Sequence, residues 1–234
     1  MERFLHFLLT RLFSARTATL VEIDLLRART RLARVFSYRV EPRCDRLHLG
    51  CGSRHVSGWL NVDVSGSDYD VDIASGRLPW KDDMFNAVVA QHLIEHLDIR
   101  TELLPFFAEL NRVMVPGGEA WLSCPDIEKI CRSYLQSRMS DLLEDRIERW
   151  PEYSLGEIPV VHLINDLFHQ WGEHKNLFDF ELLEWSLRNA GFVEIERVSE
   201  ASLLRGHPGF PPRLDDLQAL HVRALAGQGG HSLR

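Results

Sequence analysis

Cysteine is scarce in this chain and badly spaced for cross-linking. Cys44, Cys51, Cys124 and Cys131 are separated by 7, 73 and 7 positions. No close pair suggests a zinc ribbon, and a chain of 234 residues is large enough to bury a core without disulfide staples, so reduced thiols are expected. A bilayer-spanning run of roughly 20 apolar residues is missing too, the stretch Phe4–Leu9 being broken by Thr10 and Arg11. Nothing resembles a signal-peptide core with its small-residue cleavage site, and the expected location is cytoplasmic. An excess of basic charge is likewise lacking. The formal net charge is −7, and residues 1–40 hold eight Arg against three acidic residues, leaving −12 on the other 194. Such an acidic body does not suit a nucleic-acid groove, which needs clustered Lys and Arg.

Apolar residues make up 45% of the chain and charged residues 26%, which fits one soluble globular domain with an extra element. That element is residues 1–40, read as a helical arm. Phe4, Leu5, Leu8, Leu9, Leu12 and Phe13 recur at spacings of three and four, and Leu25, Leu26, Leu32, Val35 and Phe36 form a looser stripe. Such a stripe packs on the domain or on a second copy of the chain. With its arginines, residues 1–16 also suit peripheral contact with an anionic membrane.

Residues 41–234 read as one α/β domain. Short apolar runs at Leu47–Leu49, Trp59–Val64, Val71–Ile73, Phe85–Ala90 and Glu119–Cys124 alternate with helical stretches, notably Thr101–Met114 before the breaker Pro116-Gly117-Gly118. Phe85–Ala90 lacks strict polar alternation, as expected of a strand covered on both faces. This alternation predicts a mostly parallel sheet with helices on both sides. Asp126–Arg149 reads as helical. A helix over Phe180–Asn189 precedes a strand at Phe192–Val198, and Gln218–Ala226 fits a strand or a short helix.

The sharpest local feature is Leu47-His48-Leu49-Gly50-Cys51-Gly52-Ser53, a strand running into a glycine turn. Glycine lets a ligand approach the backbone, and the carboxyl edge of a parallel sheet is the usual ligand crevice. Gly58-Trp59-Leu60-Asn61-Val62-Asp63 ends the next strand on a carboxylate, which can accept both hydroxyl hydrogens of a ribose. Asp72 adds a polar group to the same edge. The chain has no G-x-G-x-x-G, because His55 stands where the third glycine of a nicotinamide-dependent oxidoreductase belongs.

These segments, with Leu78-Pro79-Trp80, His92-Leu93-Ile94-Glu95-His96-Leu97, Arg112-Val113-Met114-Val115-Pro116-Gly117-Gly118 and Pro125-Asp126, occur in that order. The pattern resembles class I S-adenosylmethionine-dependent methyltransferases, in particular a bacterial group associated with cell-surface glycan biosynthesis, over about residues 44–198. The resemblance implies a Rossmann-like sheet of seven strands whose final strand, Gln218–Ala226, is antiparallel. It implies S-adenosylmethionine as cofactor, met by the Gly50-Cys51-Gly52 turn and by Val64, with Asp63 at the ribose and Asp72 and Ile73 at the adenine. Gln91 and His92 would lie beside the methyl donor. Two departures stand out: His48 replaces the acidic residue common at the start of the glycine motif, and the turn continues Ser53-Arg54-His55.

His92-Leu-Ile-Glu95-His96 also matches an inverted zinc-protease pattern, since i and i+4 share a helix face. The methyltransferase resemblance accounts for the segment, and no metal is expected. His92, with an ordinary imidazole pKa, is the candidate general base. Residues 151–178 carry much His, Asn and Trp with weak periodicity and read as a lid over the substrate. His162, His169, Trp171 and His174, with His96, are the residue types that stack on sugar rings and bond hydroxyls. The expected reaction is methyl transfer to a hydroxyl of a sugar or related small acceptor. The alternative is a catalytically degenerate methyltransferase fold serving as a binding or regulatory subunit.

Overall fold

The computed structural model describes residues 9–36, 42 and 44–228. Phe4, Leu5 and Leu8 of the expected amphipathic stripe lie outside them. An N-terminal helix α1 (Ala15–Phe36) precedes strands β1 (Arg46–Leu49), β2 (Leu60–Asp63), β3 (Tyr69–Asp70) and β4 (Phe85–Gln91). Then come α2 (Leu104–Val113), β5 (Met114–Pro125), α3 (Ile127–Ser137) and α4 (Ser140–Arg149). The chain continues through α5 (Leu163–His169), α6 (Phe180–Asn189), β6 (Val193–Val198), α7 (Glu200–Gly206) and β7 (Ala219–Leu225).

The strands form one seven-stranded sheet in the order β3-β2-β1-β4-β5-β7-β6. β1 to β5 run parallel, and β7 lies antiparallel between β5 and β6. This is a Rossmann-like sheet with an N-terminal helix, and the C-terminal segment that fitted strand or helix is a strand. Alternate residues of β4 explain its unbroken apolar run. Val88 and Ala90 enter the core that α2 and α6 close with Phe106, Phe107, Leu110, Leu183 and Leu187. Ala87 and Val89 enter a second core with Val56, Trp59, Trp121, Phe210 and Leu203 of α7. Both faces are dry, so neither can carry polar alternation.

Several expected boundaries differ. The third strand is Tyr69–Asp70 rather than Val71–Ile73, because Asp72 caps a 3-10 turn at Ile73–Ser75 by accepting from the Ala74 amide at 3.2 Å. The Thr101–Met114 helix begins instead with a π turn at Ile99–Leu103 and stops at Val113. Pro116-Gly117-Gly118 then lies inside β5 as a register irregularity opposite Phe85–Ala87, not between elements. The continuous helix read over Asp126–Arg149 is two helices, broken where Arg138 and Met139 turn to positive φ. Asp126 does start the first, accepting from the Glu128 and Lys129 amides. Residues 151–178 fold partly as α5, whose Leu163 and Leu167 join Ile130, Met139 and Leu142 in a third small core.

Candidate active site

The register Leu49↔Ala90 sets Gly50, just past the carboxyl end of β1, beside Gln91, the last residue of β4. Gly50 takes φ +65°, and a Cβ there would come within 2.9 Å of the Leu93 side chain, so glycine is required on two counts. Gly52, at φ +50°, faces open space instead, with nothing within 4 Å of the position of a Cβ. Its amide donates to Asp63 Oδ2 at 2.8 Å, and the Val64 amide donates to Oδ1 at 2.6 Å. Each Asp63 oxygen keeps acceptor capacity for a further hydroxyl. Between the glycines, the buried Cys51 thiol is pushed up to about 11, first by burial and then by the charge of Asp63. It is a neutral packing residue, not a nucleophile. Gln91 is buried, and its Nε2 has no partner among the described residues. Open backbone at Gly52, a half-used carboxylate at Asp63 and the Gln91 amide fit a nucleoside-bearing cofactor along this edge.

Asp72 does not face an open adenine site. It is 2% exposed and is held by α1, with Arg31 Nε donating to its Oδ2 at 2.6 Å and Arg27 Nε 3.7 Å from its Oδ1. Thr30 of the same helix donates to the Val64 carbonyl at 3.0 Å. The arm therefore crosses the sheet edge at β2 and β3, and Asp72 acts there as its anchor. His48, in place of the acidic residue, is also interior. It pairs with Asn61 Oδ1 at 3.2 Å and meets the Phe210 ring edge-on, and burial lowers its pKa to about 4, so it is a neutral core residue.

His92 departs furthest from its expected role. Its Nε2 lies 2.6 Å from Asp215 Oδ2 and its Nδ1 3.2 Å from Glu95 Oε1. Two carboxylates on two ring nitrogens leave no lone pair to take a proton. Burial opposes the charge, but the hydrogen bonds and charges of Asp215 and Glu95 outweigh it and raise the pKa to about 9. Both ring nitrogens are thus engaged by carboxylates, which holds the ring as an imidazolium and does not suit the expected general-base role. Asp215 responds in the opposite sense. Burial would raise its pKa, yet His221 and His92 pull it far below the carboxylate range. His221 Nε2 sits 3.3 Å from its other oxygen. The backbone at His92 is itself in the positive-φ region (52°), held by its amide donating to the Ser123 carbonyl at 2.8 Å.

Asp215 was not legible in the sequence, because it lies 123 positions from His92 in a Pro211-Pro212-Arg213-Leu214-Asp215 loop without a recognisable motif. The buried Glu200 of α7 fixes that loop by accepting from the amides of Arg213 (2.6 Å) and Leu214 (2.7 Å). Arg213 in turn donates to the Gln91 side chain at 3.3 Å.

A cavity of about 860 Å³ opens beside this cluster, walled by α4, α5 and the 211–218 loop. His92, His96 and His174 line it together with Arg54, Arg146 and Arg213. Of the expected substrate-binding residues, His96 and His174 meet ring to ring with centroids 4.9 Å apart. His162 and His169 do not line this cavity; His162, at the end of the turn before α5, instead lies beside Asn165 and Asp166 of that helix. The Trp171 side chain lies outside the described residues. The His92–His96 pairing suggested by i, i+4 spacing does not form. Only Ile94–His96 is helical there, as a single 3-10 turn, and His96 turns to His174 instead.

Similar folds occur in a Haloferax volcanii methyltransferase solved with the Trm112 methyltransferase activator (15% identity, 93% of this chain and 96% of that one, TM-score 0.45) and in an S-adenosylmethionine-dependent methyltransferase of Archaeoglobus fulgidus (15%, 87% and 94%, TM-score 0.44). A third, from Mesorhizobium loti, is 15% identical over 83% of this chain and 95% of that one, at a TM-score of 0.43. At these TM-scores they carry no functional argument. No curated protein matches the chain significantly. Residues 61–122 match the family model of a methyltransferase domain, a stretch that runs from β2 through β5 and so contains Asp63, Gln91 and His92. This stretch is therefore similar to a methyltransferase domain, and the glycine turn at the end of β1 lies beside it in the same sheet.

Proposed function

We propose that the chain transfers a methyl group from S-adenosylmethionine to a hydroxyl of a sugar or related small acceptor, in the manner of enzymes of bacterial cell-surface glycan assembly. The observation that carries this reading is the meeting of Gly52 and the half-used Asp63 carboxylate on the sheet edge whose neighbouring residues, Arg54 and His92, line the polar cavity. The cofactor supplies an electrophilic methyl on a sulfonium, so the protein's share is alignment and exclusion of water. Gly50, Cys51 and Gly52 would carry the backbone against the methionine portion, Asp63 and Val64 would hold the ribose, and Gln91 would turn its free amide toward the same ligand. Ile73 remains a candidate adenine contact. His96 and His174 would face the acceptor, with residues 151–178 as the lid; His162, His169 and Trp171 keep that role only if the lid moves. His92, charged and clamped by two carboxylates, would position the cavity wall and not abstract a proton.

Calorimetric titration with S-adenosylmethionine, S-adenosylhomocysteine and NADH tests the reading. Micromolar binding of the first two alone, followed by label transfer from methyl-labelled S-adenosylmethionine to a hydroxylated glycan, is the expected result. The second reading, a degenerate binding or regulatory subunit, is favoured by one observation: Asp72 is committed to the arginines of α1 and not free for a ligand. Absence of any cofactor binding would select it. The exposed Leu12 and Phe13 support contact of residues 1–16 with an anionic membrane or with a second copy of the chain. Among the described residues no helix is long and apolar enough to cross a membrane.

A further inference from the structure

We infer that Glu95, His96 and His174 bind one divalent transition-metal ion of the zinc type, with an open coordination position facing the cavity. Their donor atoms lie within 4.8 Å of one another. His174 Nδ1 is 2.8 Å from the Leu167 carbonyl oxygen, and His96 Nδ1 is 3.3 Å from that of Glu173. A carbonyl can only accept, so each Nδ1 carries the proton and each Nε2 presents a lone pair. Oε1 of Glu95 is taken by His92, while Oε2 is buried without a partner among the described residues, as is His174 Nε2. The cluster thus holds a carboxylate oxygen and an imidazole nitrogen, both buried, that no donor among the described residues satisfies. Such an arrangement is costly unless a cation fills it.

The surroundings are those of a ligand set. An imidazole that donates one nitrogen to a backbone carbonyl is oriented to coordinate through the other. Two histidines and one glutamate form a known catalytic zinc set, which leaves a fourth position for water or substrate. The two segments are held together by backbone, with the Lys175 and Asn176 amides donating to the Glu95 carbonyl at 2.8 and 3.2 Å. The Asn176 side chain also donates to the Leu97 carbonyl. Donors around tetrahedral zinc stand about 3.4 Å apart, so closure needs side-chain movements of about 1 Å. His96 and His174 both line the cavity, and the open position would therefore meet the acceptor.

This deepens the methyl-transfer reading and, for its chemistry, rests on it. A hydroxyl coordinated to the ion loses its proton to water in the cavity. The resulting oxyanion forms a bond to the methyl carbon as the carbon–sulfur bond breaks, and the sulfur keeps that electron pair.

The test uses the full chain freed of metal by chelation and titrated with zinc chloride by calorimetry, with cobalt(II) as an optical probe. One ion per chain is expected, with visible cobalt bands of a low-coordinate site. His96→Gln and His174→Gln should each weaken zinc binding by at least about 100-fold, while His162→Gln and His169→Gln leave it unchanged. Circular dichroism and S-adenosylmethionine titration of each variant separate loss of the site from loss of the fold. No stoichiometric zinc in the unaltered protein, or equal affinity in folded His96→Gln and His174→Gln, would overturn the inference. Zinc binding without cofactor binding would instead retain the site and remove the methyl-transfer reading.

Discussion

Replacing Asp215 by Asn removes the stronger of the two carboxylates on His92 and should change how stability depends on pH. In the native protein His92 has a pKa of about 9, against 6.5 for a free imidazole. The folded state therefore binds this proton more tightly than the unfolded chain. Its contribution is complete below pH 6.5 and is lost as pH rises toward and through 9. Integrated between pH 6.5 and 8.5, these two values give a loss of about 2 kcal/mol of unfolding free energy. The window is favourable. The lowered pKa values of His48, His174 and His207 act chiefly below it, and the raised thiols of Cys51 and Cys124 act above it. Asp215→Asn keeps the shape but leaves only Glu95 at 3.2 Å, so the His92 pKa should fall and most of the slope should vanish. Urea unfolding at pH 6.5, 7.5 and 8.5 for both proteins, with the His92 ring titrated by NMR, measures it. A native stability that is flat across the window, or an unchanged slope in Asp215→Asn, would refute the imidazolium assignment.

Other perturbations read different parts of the site. Asp63→Ala should cost about 1.5–3 kcal/mol of S-adenosylmethionine binding by calorimetry, since charge-assisted hydrogen bonds to the ribose are lost; an unchanged affinity would mean that the ribose lies elsewhere. Gly50→Ala combines a positive φ with a 2.9 Å approach to Leu93, and should destabilise the fold by about 1–3 kcal/mol in urea. Gly52→Ala shares the backbone penalty but not the clash, so it should be the milder change for stability, with its larger effect on cofactor affinity. Glu200→Ala orphans the amides of Arg213 and Leu214; about 1–3 kcal/mol should be lost, together with part of the raised His92 pKa, because the Asp215 loop is released.

Local pattern carried the sheet. Period and turn chemistry in Leu47–Gly52 and Gly58–Asp63 are properties of consecutive residues, and the two-sided apolar run of β4 reports burial on both faces whatever lies above it. Asp63 was legible for the same reason, since a carboxylate at the end of one strand and a glycine turn at the end of its neighbour are fixed relative to each other by parallel pairing alone. The short elements read less well. A π turn at Ile99–Leu103, the passage of β5 through Pro116-Gly117-Gly118 and the break at Arg138 and Met139 depend on what the backbone packs against, not on the propensities that marked these stretches.

The sequence by itself determined an α/β sheet with a glycine turn and one carboxylate at its carboxyl edge, because those follow from alternation within a few residues and from the handed pairing of adjacent strands. Only the tertiary structure decided what the ionisable side chains do. Asp72 was drawn to Arg31, 41 positions away, His92 to Asp215, 123 positions away, and His96 to His174. A charge state or a ligand geometry depends on which groups lie within a few ångströms, and no spacing along the chain encodes a partner brought in by the closing of the fold.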